Sequence, residues 1–140
     1  LGGISPSSRA FALDPGRIYV HRADRFARGS VQKADVRVVK QEVTDLLRQL
    51  RYDGELVIRE VFEAAEIYSG PHANDGPDLV ALSHAGFDLK ASPAASEVFG
   101  RSDLVGMHTY DDAFLLAPRP LDGDLWIGDL AAILLNEWKD

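Results

Sequence analysis

The most regular pattern of hydrophobic positions lies in the middle of the chain and predicts an amphipathic helix. Apolar side chains recur there at helical spacing, so they share one face. Asp35 stands where it can cap the start of this helix, and the Asp53-Gly54 pair ends the segment. Because the pattern stops within a few turns, we interpret it as a packing face rather than a coiled coil or a partner-binding surface. The positions are Val36, Val39, Val43, Leu46, Leu47 and Leu50.

Short runs rich in β-branched and aromatic residues predict strands on both sides of this helix. The first run follows the Pro15-Gly16 turn. Alternating apolar residues over 87–91 predict a half-exposed strand, and the fully apolar run 114–117 is typical of a strand inside a covered sheet. One helical turn over 63–68 and a closing helix over about 126–138 are also expected. The other predicted strands are 17–21, 56–62 and 78–82.

Strands separated by helices predict an α/β or α+β structure, of the three-layer or sandwich type, in which helices cover a mixed sheet. A length of 140 residues is typical of one domain, so we expect a single domain over 1–140. The strand at 114–117 and the closing helix would place the loop before Phe114 at the edge of the sheet. Binding sites often lie at such an edge.

Composition narrows the classes of function. The 22 acidic and 15 basic side chains give a net charge of −7, which disfavours nucleic-acid polymers and membrane surfaces as partners. The absence of cysteine excludes disulfides, thiolate chemistry and cysteine-based zinc sites, so any metal would need His, Asp or Glu ligands. No apolar run approaches the roughly 20 residues of a membrane span. We expect a soluble protein and favour the cytoplasm as its compartment.

The histidines are the first candidates for chemistry, although no two have the spacing of a helical metal pair. His108 differs from the others because it follows Gly106 in the loop that leads to the run 114–117. Asp111 and Asp112 follow within reach and would hold the imidazole N–H. The alternative is a polar turn capped by these aspartates, and spacing alone favours it. The remaining histidines are His21, His72 and His84.

Two groups of charged residues are weaker candidates. Arg22, Arg25 and Arg28 recur at three-residue spacing, and the guanidinium fork suits a phosphate or carboxylate. A solvated loop with one structural salt bridge is the favoured alternative. Glu63 and Glu66 have the composition of an acid–base pair, but a surface helical turn is the better account of them.

Six short segments occur in an order and spacing that resemble one known family. They are 10–13, 16–21, 66–72, 77–80, 106–108 and 129–135, and Arg25 falls on a position of the same pattern. From about Ala10 onward the chain is similar to the C-terminal part of the type I phosphodiesterase/nucleotide pyrophosphatase group. That group belongs to the alkaline phosphatase superfamily.

The chain departs from the family pattern at several positions. His21 replaces the usual asparagine, and Phe26 replaces an acidic residue. Asp112 stands where glycine is frequent, and Ala132-Ile133 replace a Pro-Thr pair. These departures bear on the substrate class more than on the fold.

The resemblance implies a partial alkaline-phosphatase-like domain from a metal-dependent phosphodiesterase or phosphatase. The complete enzyme would use two divalent ions, zinc or manganese, with a Thr or Ser nucleophile on a phosphate-ester substrate. His108 would be the last metal ligand, while Asp111, Asp112, Arg25 and His72 would support that ligand or contact the substrate.

The same resemblance implies that the nucleophile and the other metal ligands lie upstream of Leu1. We therefore expect the isolated chain not to hydrolyse phosphate esters, and we expect self-association of the fragment through apolar surface left uncovered. The alternative is a non-catalytic α/β interaction module derived from this superfamily.

Overall fold

The computed structural model of the protein describes residues 3–91, 96–101, 113–121 and 123–137, together with Asp103, Gly106, His108 and Tyr110. The chain forms two compact units, Leu1–His108 and Thr109–Asp140. The first unit contains β1 (Ala10–Asp14), β2 (Arg17–Val20), α1 (Val36–Gln49), β3 (Arg51–Tyr52), β4 (Glu55–Leu56), β5 (Ile58–Glu63), α2 (Ala64–Ile67) and β6 (Leu79–Ser83). The second unit contains α3 (Leu130–Glu137).

A four-stranded sheet in the order β1-β2-β6-β5 forms the centre of the first unit. Three of the predicted strands are confirmed as β2, β5 and β6, with ends shifted by one or two residues. The general α+β class is confirmed as well. The expected mixed sheet is wrong for the described strands, because each neighbouring pair is antiparallel. A two-residue turn such as the one between β1 and β2 can join only antiparallel strands.

The hydrophobic core lies between this sheet and α1. Alternate residues of the central strands are buried, as expected where one face of a sheet is covered. Val39 of α1 is fully buried and packs with Val20 and Val31. Val43 and Leu47 extend the contact along the helix to the larger cluster. That cluster consists of Ile18, Val57, Ile58, Val61, Leu79 and Ala81.

The predicted helix is confirmed as α1, but two details differ. Asp35 precedes it without a side-chain cap, because a 3₁₀ turn over Lys33–Asp35 gives Asp35 a helical backbone. A capping residue normally has an extended backbone from which its side chain can fold back. Leu46 lies at the margin of the apolar stripe and is mostly exposed, whereas Val39, Val43 and Leu47 carry the packing.

The Asp53-Gly54 pair closes a small hairpin rather than only ending the helical segment. Strands β3 and β4 pair on either side of it, with Tyr52 opposite Glu55. Both turn residues have positive φ, 49° for Asp53 and 86° for Gly54. This is the backbone that a two-residue hairpin turn of type I′ requires, and Asp-Gly is among the sequences that favour it.

Gly16 has a more constrained position in the turn between β1 and β2. Its φ is 70°, and its carbonyl accepts a hydrogen bond of 2.7 Å from the Ala81 amide. A Cβ placed on Gly16 would lie 2.5 Å from the Ala81 carbonyl oxygen. The turn therefore requires glycine for two reasons, its left-handed backbone and its close approach to β6.

Two predicted strands are wrong. Residues 87–91 continue from a turn at 85–86 without joining the sheet. In the second unit, residues 114–117 form an irregular segment in which Phe114 and Leu116 are 93% and 90% exposed. An apolar run alone does not supply the neighbouring strand with which a strand must pair. The expected sheet edge before Phe114 is consequently not formed by the described residues.

The closing helix is confirmed over its described part. A 3₁₀ turn over Ile127–Asp129 leads into α3, and the Asp129 carboxylate accepts a 2.8 Å hydrogen bond from the Trp126 amide. Trp138, the predicted end, lies outside the described residues. Neither α3 nor any other helix within the described ranges has the length and apolar character that crossing a membrane demands.

Replacing Gly16 and Gly54 in turn separates backbone strain from steric collision. Gly54→Ala should destabilise the protein by about 1–2 kcal/mol, since the new side chain meets no atom within 4 Å but must keep a positive φ. Gly16→Ala introduces the same backbone strain. Its new Cβ also collides with the Ala81 carbonyl oxygen, which should increase the destabilisation by about a further 1–3 kcal/mol. Urea unfolding followed by circular dichroism measures both. Equal losses in the two variants would contradict the close approach at Gly16.

Candidate functional site

A surface cleft lies beside the outward-facing residues of β2. Ile18 and Val20 point into the core, so Arg17 and Tyr19 lie on the opposite face. The loop over 68–77 forms the other wall of a cavity of about 500 Å³, which we call the β2 cleft. Its lining includes Arg17, Tyr19, Tyr68, Ser69, Pro71 and His72.

Asp78 fixes this loop to β2. Its amide donates a 2.8 Å hydrogen bond to the Ile18 carbonyl, and its carboxylate accepts one of 2.8 Å from the Val20 amide. The side chain is only 11% exposed. A carboxylate so little exposed needs hydrogen-bond donors or cations to compensate for lost hydration. The Asp78 carboxylate thus accepts the hydrogen bond of the Val20 amide, which in a regular sheet would go to a carbonyl of the neighbouring strand.

The loop that carries Arg22, Arg25 and Arg28 is called the basic loop. Two of its arginines supply positive charge near the Asp78 carboxylate. Nη1 of Arg22 lies 3.9 Å from Oδ1 of Asp78, and Nη1 of Arg25 lies 3.9 Å from Oδ2. These separations are too long for hydrogen bonds but close enough for charge attraction. The structural salt bridge considered for this loop is therefore present, with Asp78 as its shared carboxylate.

Arg25 is further held by aromatic and backbone contacts. Its guanidinium carbon lies 5.3 Å from the ring centres of both Tyr19 and Phe26, a distance that permits cation–π attraction. One of its terminal nitrogens donates to the Asp75 carbonyl. The predicted site residue Arg25 thus joins β2, the basic loop and the loop over 68–77.

Arg22 is bound mainly to Asp24. Its Nε and Nη2 donate bonds of 2.9 and 2.7 Å to the two carboxylate oxygens. This hydrogen bonding lowers the pKa of Asp24 and raises the pKa of Arg22. Because the pKa of Asp24 is lowered, any stability from the pair is present at neutral pH and is lost as the pH falls through that lowered value. Arg28, the third arginine, is exposed.

Two residues that depart from the family pattern belong to an aromatic cluster next to the β2 cleft. His21 is buried, with Nδ1 2.9 Å from the Ser8 carbonyl. Phe11 stacks on Tyr19 at 5.6 Å and meets the rings of His21 and Phe26 edge-on at 5.6 and 5.2 Å. The contacts of His21 and Phe26 are therefore packing contacts within this cluster.

His72 and His108 lie in different surroundings. His72 lines the β2 cleft, its side chain is 88% exposed, and its Nδ1 lies 3.1 Å from Oδ2 of Asp75. His108 is exposed and belongs to no helix or strand, and it is the last residue of the first unit. Asp111 and Asp112, predicted to support it, lie outside the described residues.

No group of three or more His, Cys, Asp or Glu side chains within the described ranges is arranged to hold a metal ion. His108 alone offers one ligand, and a usable site needs three or four in fixed geometry.

Glu63 and Glu66 take part in local structure. Glu63 forms an ion pair with Lys40 of α1, and the Glu66 carboxylate accepts a 2.9 Å hydrogen bond from the Glu63 amide. The two side chains form a reciprocal capping box at the start of α2. These contacts support the surface-turn interpretation over an acid–base pair.

Asp78 is the residue whose importance sequence reasoning missed. In the sequence it lies in the family-like segment 77–80 and at the start of the predicted strand 78–82. A signal was available, because a basic loop with three arginines needs a counter-charge and a carboxylate at the start of a buried strand is a candidate for it. Spacing could not join the two, since some 50 residues separate them in the sequence.

Comparison of the chain with models of known protein families, with curated proteins and with solved structures finds no match in any of the three.

Asp78→Ala should cost about 1–3 kcal/mol of stability, because the Val20 amide loses its acceptor inside the fold. Asp78→Asn should cost less, since an amide oxygen can still accept that bond. Asp24→Ala is the matched control and should leave the urea unfolding midpoint nearly unchanged, as an exposed pair contributes little. Urea unfolding midpoints measure all three. A loss in Asp24→Ala as large as in Asp78→Ala would contradict the central role of Asp78.

Proposed function

We propose that this chain is the C-terminal part of a metal-dependent phosphoric ester hydrolase of the phosphodiesterase/nucleotide pyrophosphatase type. His108 contributes one metal ligand to an active site whose other ligands and nucleophile come from outside these 140 residues. The isolated chain is not a catalyst. The proposal rests on the order of the family-like segments and on where the fold places three of them.

The observation that carries the proposal is the convergence of segments that are distant in sequence. Segment 16–21 forms β2, segment 66–72 runs from α2 into the wall of the β2 cleft, and segment 77–80 begins β6. Arg25, also on a family position, contacts Asp78 and Asp75 and so connects these segments. Three segments that the resemblance selects in the sequence therefore lie together in one region of the first unit.

His108 has the exposure that a shared ligand needs. Its side chain is accessible, so a metal held by another part of the protein can reach it. A neutral imidazole binds zinc or manganese through a ring nitrogen, while the other ring nitrogen is free to donate to a carboxylate. In such enzymes the divalent ions orient the phosphoryl oxygens and stabilise the attacking and leaving oxygens. Arg25 and His72 remain proposed contacts of the substrate or of residues that hold it.

The encoding gene provides the first test. The proposal requires upstream coding sequence with a Thr or Ser nucleophile and an Asp-His-Gly motif. In the complete protein, His108→Ala should lower metal-dependent hydrolysis of bis(p-nitrophenyl) phosphate by at least about a hundredfold, because losing even supporting contacts of a ligand costs 10–100-fold.

His84→Ala is the matched control, since His84 is an exposed histidine outside the family-like segments, and this variant should keep its activity. The pure 140-residue chain should show no turnover with zinc or manganese. Metal-dependent turnover by that chain, abolished by His108→Ala, would contradict the absence of a complete site. Full activity of His108→Ala in the complete protein would contradict its role as a ligand.

A non-catalytic interaction module is the second candidate, and the second unit carries the observation that favours it. Phe114 and Leu116 are almost fully exposed, and Trp126 is 74% exposed. Large apolar side chains this exposed are typical of surfaces that another protein or another part of the same protein covers.

On either reading, the isolated chain should self-associate through the second unit. Sedimentation equilibrium should give an apparent mass that rises with concentration. Replacing Phe114 and Leu116 together by serine should suppress that rise, because it removes the most exposed apolar side chains. Val98→Ser, at an exposed apolar position of the first unit, is the control and should leave self-association unchanged. A monomer at every concentration would contradict the prediction.

A further inference from the structure

We propose that the β2 cleft binds a small aromatic phosphate, with the phosphate on Arg17 and the aromatic ring against Tyr68. The inference concerns reversible binding by the chain itself. The proposed binding involves neither His108 nor a metal ion, so its test is independent of the hydrolase proposal.

The charge of the cleft is opposite to that of the chain. The net charge is −7, yet the described residues that line the cleft include no carboxylate. They include Arg17, whose guanidinium forms no hydrogen bond or ion pair with the described part of the chain. A guanidinium without a partner offers two parallel N–H donors to a phosphate. A local cationic site of this kind attracts an anion although the protein as a whole repels it.

His72 lies on the opposite wall. Its Nδ1–H donates to the Asp75 carboxylate, so Nε2 of the neutral imidazole is an acceptor and does not donate to a phosphate. Asp75 itself is not among the residues that line the cleft. The Ser69 hydroxyl and the tyrosine hydroxyls add neutral donors to the same lining.

The aromatic preference comes from Tyr68. The other lining tyrosine, Tyr19, is already held by stacked Phe11 and by the guanidinium of Arg25. Tyr68 is 38% exposed and belongs to no aromatic pair among the described residues. Its ring is therefore available to stack on a planar ligand, an arrangement worth about 0.5–1.5 kcal/mol beyond area burial.

The cleft is preformed. Asp78 ties the start of β6 to β2, and Arg25 bonds to the carbonyl of Asp75 in the facing loop. The Gly76 amide closes that loop on the Ala73 carbonyl at 3.2 Å. Walls held in this way lower the ordering cost of binding. A volume of about 500 Å³ accommodates a single aromatic ring with its phosphate and lies within the range of ligand pockets.

Phenyl phosphate is the probe, and ¹H–¹⁵N NMR titration of the metal-free 140-residue chain measures its binding. We expect saturable shifts confined to the amides of β2 and of the loop over 68–77. Phenol lacks the anion and inorganic phosphate lacks the ring, so each should bind at least about tenfold more weakly.

Two variants and a control assign the contacts. Arg17→Gln should weaken phenyl phosphate binding by about tenfold, since a charge-assisted pair is lost. Tyr68→Leu should remove most of the preference for phenyl phosphate over inorganic phosphate while keeping apolar bulk. Arg37→Gln, at an exposed arginine of α1 outside the cleft, should bind as the parent chain does. The spectra without ligand show whether each variant retains its fold.

Three results would overturn the inference: no saturable shifts at the cleft, equal affinity for phenyl phosphate and inorganic phosphate, or the same weakening in Arg37→Gln as in Arg17→Gln. None of them bears on hydrolysis by the complete protein. Conversely, inactivity of the complete protein would leave cleft binding intact.

Discussion

The carboxylate of Asp78 is the group on which the architecture of the first unit depends. It accepts the amide hydrogen of Val20 and attracts Arg22 and Arg25, while its own amide donates to Ile18. A carboxylate with so little exposure is stable only because these partners replace its hydration. The basic loop, the two central strands and the wall of the β2 cleft are consequently held by one group. Arg25 in turn packs its guanidinium against the rings of Tyr19 and Phe26.

The elements with a strong local pattern could be predicted from the sequence. The stripe from Val36 to Leu47 places α1 correctly, because a helix satisfies its own backbone and needs only one apolar face. Strand β2 was predicted from its β-branched and aromatic residues after a turn. Residues 114–117 have an equally apolar composition and yet form no strand in the described structure. A strand depends on a partner that composition does not reveal.

The candidate site was predictable only in part, and for a related reason. Arg25 and His72 were selected from the sequence, and the fold places both around the loop that follows α2. The carboxylate partner of Arg25 could not be found by spacing, because the pairing of β2 with β6 brings Asp78 next to it. His108 was selected by resemblance alone, and its role as a metal ligand stays a prediction. Local pattern thus identified individual side chains, whereas tertiary pairing decides what each side chain contacts.

The Asp78–Val20 bond also has a consequence for the order of folding. It joins residues 58 positions apart, so the chain must close a large loop before the bond can form. That closure carries an entropy cost of about 3–4 kcal/mol. The β1–β2 and β3–β4 hairpins and α1 need no such closure and can form earlier from local contacts. We therefore expect the central pairing of β2 with β6 to form late in folding, and the β2 cleft to exist only once that pairing is complete.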